Sequence, residues 1–489
     1  MNRTQRKLFA LLFVLLFALI APTVVLFAQG YRFSLKNNIF IYSGSITVKS
    51  WPRDIEIYIN DKKQNKNLNI INGAYTINGV KPGKYKLACS RPGYDTWEKE
   101  IEVHSGISTE FWNVLLFPEK DQQNITAHTT SEKIQQFFLS PSDNHELVIF
   151  SEKDPKKQIY LLNTENNKTK LIFETKDFDF FPKKDGLNIE WSADNEKIIL
   201  PVVNKEGQKK YLIIDLNQPD NNFIILNDFF EEENLQQVRW MFNEKNDIAL
   251  LTKKNNLFSF DHKNKKAQLI AENVSGFDFA EYSIYYSQLP NNIIWRVKQS
   301  NFENKKQVTN EPFLTSNDQK FIKITAYDEY RIFMNADNES FLHNENNKKN
   351  IISTLRPSKK ISEIQFSDDG KKLLCWNKHE AWYYMLRDWE IQPKRYFGDN
   401  IVITRSSELI QNIQWMDNYE NIILSTNQDV KSFEVDPRNH TNISNLATSK
   451  KPLQEKDLIY NKNNQTLYFL DEGQIYSLIL IDDTGFLNF

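Results

Sequence analysis

Residue types that could do chemistry are present in this chain, but they are not grouped. The seven histidines, His104, His128, His145, His262, His343, His379 and His440, include no pair at metal-ligand spacing. HExxH, which sets two imidazoles one helical turn apart, is absent. Neighbouring carboxylates occur at Asp177/Asp179, Asp368/Asp369 and Asp482/Asp483. Such pairs suit calcium only in a loop with alternating oxygen ligands and a glycine at its sharp turn, and none of the three fits that pattern. Asp368-Asp369-Gly370 reads instead as a β-turn. There is no GxSxG elbow for a nucleophilic serine. Only 14 glycines occur in 489 residues, and no phosphate-cradling loop is among them. Cys89 and Cys375 are expected in different domains, as two small buried hydrophobes rather than a disulfide or a metal pair. No catalytic, cofactor-binding or metal-ligating residue is therefore assigned, and the chain is expected not to be an enzyme.

Charge excludes a further class. Acidic and basic residues number 63 and 61, a formal balance of −2. Nothing here supplies the basic field that nucleic acid requires. The lysine-rich stretches Lys205–Lys210, Lys263–Lys266 and Lys348-Lys349 read as solvated turns. Aromatic residues make up 13% of the chain, and the charges are interspersed, so the chain is expected to fold.

Residues 8–28 carry no charge. As a helix they reach about 32 Å, the thickness of a bilayer's hydrocarbon core. Pro22 is tolerated there. The alternative is a cleaved signal peptide, but the apolar run exceeds a usual signal core, and Leu26 is a poor residue for a cleavage site after Ala28. Arg3, Arg6 and Lys7 precede the span, against Arg32 and Lys36 after it, which predicts a cytoplasmic N-terminus and an exported bulk. Residues 1–30 thus form a tip and a transmembrane helix, and 31–43 a linker.

Residues 44–118 read as a small β-sandwich of short strands with turns between them. SITVK and IEIYI alternate, Asn60-Asp61 turns the second, and Lys81-Pro82-Gly83 precedes KYKLAC. These residues resemble the PEGA domain. Pro52 stands where the family's short motif begins, while Arg53, Asp54 and Ile55 depart from it. The second half matches more fully, at Pro82, Gly83, Tyr85, Gly93, Tyr94 and Trp97. The resemblance covers about a sixth of the chain. It implies an envelope module with a scaffold or interaction role and no catalysis. Tyr94 and Trp97 are read as core packing on one sheet face.

Residues 124–489 carry a weak repeat. IEWSADNEKIIL, VRWMFNEKNDIAL, IQFSDDGKKLLC and IQWMDNYENIIL each place an apolar residue, a polar one, a large aromatic, a turn and an apolar strand. Their aromatic slots are Trp191, Trp240, Phe366 and Trp415. Further copies put Leu139, Phe279, Ala326 and Tyr460 in the slot, so the slots recur every 39 to 52 residues. That is the period of four-stranded propeller blades. The pattern predicts an all-β chain ending in a β-propeller of eight blades, with seven as the alternative. A strand near residues 125–130 would complete the last blade and close the ring. The slot aromatics are read as inter-blade core. The region resembles loosely conserved propellers of the Tol-associated and WD-repeat type, which implies binding. The ring is expected to run to the last residue, with no hydrolase domain after it.

Together these readings describe an extracytoplasmic scaffold, with the lipid bilayer as partner through residues 8–28 and an envelope protein or glycan on the propeller. One alternative is a hydrolase or lyase in the channel, using carboxylates gathered from separate blades. The other is a passive spacer.

Overall fold

In the computed structural model, the residues described are 3–28, 31–34, 39–128, 133–141, 146–153, 156–180, 189–218, 223–230, 234–242, 246–313, 321–336, 339–346, 351–355, 360–454 and 457–481. The chain begins with one long helix, Arg3–Ala28, with Pro22 inside it. Its segment Gln5–Leu26 is long and apolar enough to cross a membrane, and none of it is covered by the rest of the protein. The Thr23 hydroxyl bonds back to the Leu19 carbonyl at 2.8 Å, which satisfies the one hydroxyl in the apolar run. Residues 31–43, expected as a linker, contain a hairpin: Tyr31–Ser34 pairs antiparallel with Ile39–Tyr42.

Two four-stranded sheets follow and pack face to face. The first orders its strands Ser108–Leu115, Gly44–Trp51, Ala74–Val80 and Asn67–Asn69. The second orders Lys62–Lys63, Glu56–Ile59, Gly83–Ser90 and Trp97–Val103. Alternation along these strands sends Ile46, Val48, Ile57, Leu87, Trp97 and Phe111 into one core. Cys89 lies in it as a free thiol, its pKa pushed up by burial.

Among the described residues, eight antiparallel sheets then succeed one another along the chain. Seven are built from consecutive strands. The eighth takes Leu458–Asn461, Thr466–Asp471 and Gln474–Ile479 from the end of the chain and Ile125–His128 from before the first sheet. That N-terminal strand pairs with Gln474–Ile479 from Ile125↔Leu478 to His128↔Ile475. The His128 ring bonds Asn167 at 2.7 Å and Ser477 at 2.8 Å, so the closing strand is held from both sides.

Each sheet shares an apolar core with the next. Trp240 and Tyr211 pack between the second and third, and Trp415 and Tyr383 between the sixth and seventh. Tyr468 and Ile475 of the eighth pack on Phe137 and Ile149 of the first. This last contact makes the arrangement a ring, a β-propeller. Seven of the eight slot residues fall on the edge strand nearest the axis, and Trp191 on the short strand Glu190–Trp191, which with Phe178–Phe180 lines the inner side of Lys197–Asn204. Gly276 on one such strand lets its neighbour come close, because a Cβ there would stand 1.9 Å from the Ile322 carbonyl oxygen. Cys375 is buried between the fifth and sixth sheets.

Candidate functional site at the junction of module and ring

The small module does not hang from the ring on a tether. Its strand Trp97–Val103 and the neighbouring Ser108–Leu115 are edge strands, each with open backbone groups on one side. Both edges meet the connections that follow the third strands of the sixth and seventh sheets. Side-chain amides take the place of a partner strand there. Asn442 Oδ1 accepts from the Glu98 N–H at 3.1 Å, and its Nδ2 donates to the Glu98 carbonyl at 3.1 Å. Asn439 Oδ1 accepts from the Glu100 N–H at 3.2 Å. On the other edge Gln392 accepts from the Glu110 N–H at 3.1 Å and donates to the Ser108 carbonyl at 2.8 Å. Covered edges of this kind cannot recruit a foreign strand.

Lys99 is the centre of the joint. Its side chain is fully buried, and its ammonium donates to the carbonyls of Asp436 (3.2 Å), Arg438 (2.8 Å) and His440 (2.6 Å). It also pairs with Glu434 at 3.0 Å. A buried ammonium needs a full set of acceptors, and the loop 435–442 supplies them. Glu434 in turn accepts from the Trp97 indole N–H at 3.1 Å and from Asn442 at 2.8 Å. The Arg438 guanidinium carbon lies over the Phe111 ring, 4.0 Å from its centre, and the side chain holds both oxygens of Asp436. Burial opposes the Asp436 charge, yet Arg438 keeps its carboxyl below the ordinary range.

Behind this loop sits a second ionic group. Arg395 grips Glu420 with two bonds of 2.7 Å, and Lys372 meets the same carboxylate. The three side chains are 1%, 8% and 2% exposed. Burial opposes the Glu420 charge, but two cations hold its pKa below the ordinary value. The crevice left between module and ring, lined by Trp112, Trp389, Gln392 and Arg438, has room for water rather than for a sugar ring.

At the axis, five of the eight slots are preceded by a polar residue that bonds across to a neighbouring sheet: Glu190, Arg239, Asp278, Gln365 and Gln414. Arg239 joins Glu190 of the second sheet (3.2 Å) to Asp278 of the fourth. Asp278 also accepts from the Ala326 N–H at 2.9 Å. The same bond recurs twice. Gln365 accepts from the Trp415 N–H and Gln414 from the Tyr460 N–H, each at 2.9 Å. A polar side chain on one inner strand thus caps the slot N–H of the next. The strings IEW, VRW, FDF, IQF and IQW carry this signal, although only the aromatic was assigned from them. Both Asp278 oxygens are occupied, and Arg239 shares its charge with Glu190, so the cluster ties strands rather than presenting a free acid and base.

The residues assigned from sequence spread over several places. Trp97 belongs to the module core and also reaches the joint. Tyr94 lies on the same core and forms a bridge with Pro118, while Gly93 accepts from the Glu119 N–H at 2.9 Å. Pro52 is buried, with its carbonyl bonded by Ser50 at 2.9 Å. Pro82 and Gly83 turn the chain before Tyr85, whose hydroxyl donates to the Lys81 carbonyl at 2.9 Å. Trp240 and Trp415 are buried, whereas Trp191 and Phe366 are half-buried against their inter-sheet cores. Asp369 accepts from Ser367 at 2.6 Å within the turn closed by Gly370. Among the described residues no group of three or more histidines, cysteines or carboxylates could hold a metal. His145, Lys348, Lys349, Asp482 and Asp483 lie outside the described residues. Sequence missed Lys99, Glu434, Asn442, Arg395 and Glu420.

Residues 43–115 match the PEGA domain family. No curated protein sequence matches the chain. Among solved structures, the chain is similar to the C-terminal WD40 domain of Sif2, with TM-score 0.47 and 11% identity over 74% of this chain and 99% of that one. It is also similar to the propeller domain of Cps50 (Swd1) from Myceliophteria thermophila, with TM-score 0.41 and 9% identity over 73% and 99%. A third similar structure is an oligogalacturonate lyase from Vibrio parahaemolyticus, with TM-score 0.40 and 10% identity over 74% and 94%.

Proposed function

We propose that this chain is a membrane-anchored interaction scaffold on the extracytoplasmic side of a cell envelope, and that it binds a protein or glycan partner on the ring rather than catalysing a reaction. The helix anchors it in the bilayer, with Arg3, Arg6 and Lys7 retained in the cytoplasm. The observation that carries the reading is the sealed joint. In a four-stranded antiparallel sheet the first and third connections leave one end, and the second and last leave the other. The module occupies the first end, through loop 435–442 and the segment around Gln392. The opposite ring face, with exposed Lys254, Lys378 and Asn427, stays uncovered.

Site-specific photo-cross-linking of the full chain in its native membrane tests this. Adducts are expected from a cross-linker at Lys254, Lys378 or Asn427 and not at Lys263, which lies on the module's side. Equal labelling from both faces, or none from the first, would remove the proposal.

A further inference from the structure

The bilayer anchor has a second, non-helical part. The hairpin that follows the helix turns the chain back on itself. Tyr31 stands three residues after Ala28, and it pairs with Tyr42, the two rings 4.9 Å apart. Three extended residues span at most about 10 Å. Tyr42, one strand spacing beyond Tyr31, is therefore held within about 15 Å of the helix end, although fourteen residues of chain separate them. The small module begins two residues later, at Gly44. Its near end is consequently fixed beside the helix terminus.

That end has the composition of a membrane-contacting surface. Tyr42 is 47% exposed and Ile107 is 56% exposed. They are brought together by bonds from the Gly106 N–H to the Ser43 carbonyl (3.1 Å) and from the Ser45 N–H to the Ile107 carbonyl (3.2 Å). Gly44 lies opposite Val80, which puts exposed Lys81 at the same end. Amphipathic tyrosine rings settle at headgroup level, an isoleucine finds acyl chains there, and a lysine finds phosphate. The far end of the same sheet differs in place rather than in apolarity. Strand Gly44–Trp51 runs about 23 Å away from the base at ~3.3 Å per residue. It ends near exposed Ile70 and Ile71, which are linked to Ala74 opposite Asn69. Continuity with the membrane helix, and not greasiness alone, therefore selects the near end.

We infer that the module's base, formed by Tyr31, Tyr42, Ile107 and Lys81, rests in the headgroup layer of the outer membrane surface, so that the module stands upright as a fixed post. The inference rests on reading the helix as an anchor. Because the joint seals module to ring, an upright module also sets the ring's height and tilt.

Cys89 and Cys375 are both buried, so a cysteine introduced on the surface is the one accessible thiol. Full-length Ile107→Cys and Ile70→Cys proteins, each labelled with an environment-sensitive fluorophore, are placed in lipid vesicles containing a headgroup-level nitroxide quencher. The label at 107 is expected to lose roughly half its emission or more, and the label at 70 to keep it, since interfacial contact is confined to the base. Lys81→Glu should weaken the quenching at 107 in anionic vesicles. Equal quenching at both sites, or none at 107, overturns the inference. Flotation of the same samples separates the two ideas. A chain that does not float defeats the anchor and the post together, and one that floats with 107 unquenched defeats the post alone.

Discussion

The molecule holds two ionic clusters that are opposites in composition. Under the module, two cations, Lys372 and Arg395, share the one carboxylate of Glu420, and all three are nearly sealed from water. At the axis, two carboxylates, Glu190 and Asp278, share the one guanidinium of Arg239, and the three side chains are 24%, 10% and 33% exposed. The difference shows where each cluster draws its stability. Water does part of the screening at the axis, so charge there is tolerated and serves mainly to register one inner strand against the next. Beneath the module the three charges are almost wholly sheltered, and each depends mainly on its partners.

Removing the anion of the sealed cluster is the largest way to break this contrast. Glu420→Gln leaves two buried cations facing one another and should cost about 3–5 kcal/mol. Urea unfolding of the detergent-solubilised protein, followed by tryptophan fluorescence, measures it. A loss under 1 kcal/mol would mean that water reaches the cluster.

Lys99→Met comes next. It strands three carbonyls and leaves Glu434 with only Trp97 and Asn442, at a cost of about 3 kcal/mol. Its signature is local: hydrogen exchange should rise in 97–103 and 434–442 while the inner strands keep their protection. Uniform loss of protection would show that module and ring unfold as one unit.

Arg239→Met should cost less, about 1–2 kcal/mol, because the site is part-solvated and Asp278 keeps its bond to the Ala326 N–H. It is measured by the same unfolding experiment, and a cost equal to that of Glu420→Gln would erase the distinction between the clusters.

The smallest effect is a difference in sign with pH. Burial holds the Glu190 pKa above its ordinary value of 4.5, against the pull of Arg239. Its charge therefore works against the fold at neutral pH, and that penalty lifts as pH falls through the raised value toward 4.5. The Glu420 pKa is lowered, so its contribution is complete above 4.5 and is lost as pH falls below it, through the depressed value. Exchange rates corrected for their intrinsic pH dependence should show residues around 190–199 gaining protection as pH falls from neutral toward 4.5. Residues 372–376 and 420–425 should lose theirs only under more acidic conditions. Parallel curves would contradict this assignment.

What the chain wrote into its own sequence is whatever repeats locally. An uncharged run of bilayer length, the strand alternation and turn residues of the small module, and eight slots set every 39 to 52 residues are each visible within a short window. They suffice for the helix, the module and the ring, because periodicity reports which face of an element meets a core. The polar residue before five of the slots was visible as well, in IEW or IQF, but not the neighbour it bonds. Gln365 meets Trp415 fifty residues on, through a blade-to-blade spacing that only the closed ring defines. Lys99 is the extreme case. In sequence it is one more lysine on an alternating strand, and its cage is formed by carbonyls 337 to 341 residues away. Backbone oxygens carry no residue identity, so no pattern of letters could announce that acceptor set. It exists because the ring closes and carries loop 435–442 to the edge of a module folded far earlier in the chain.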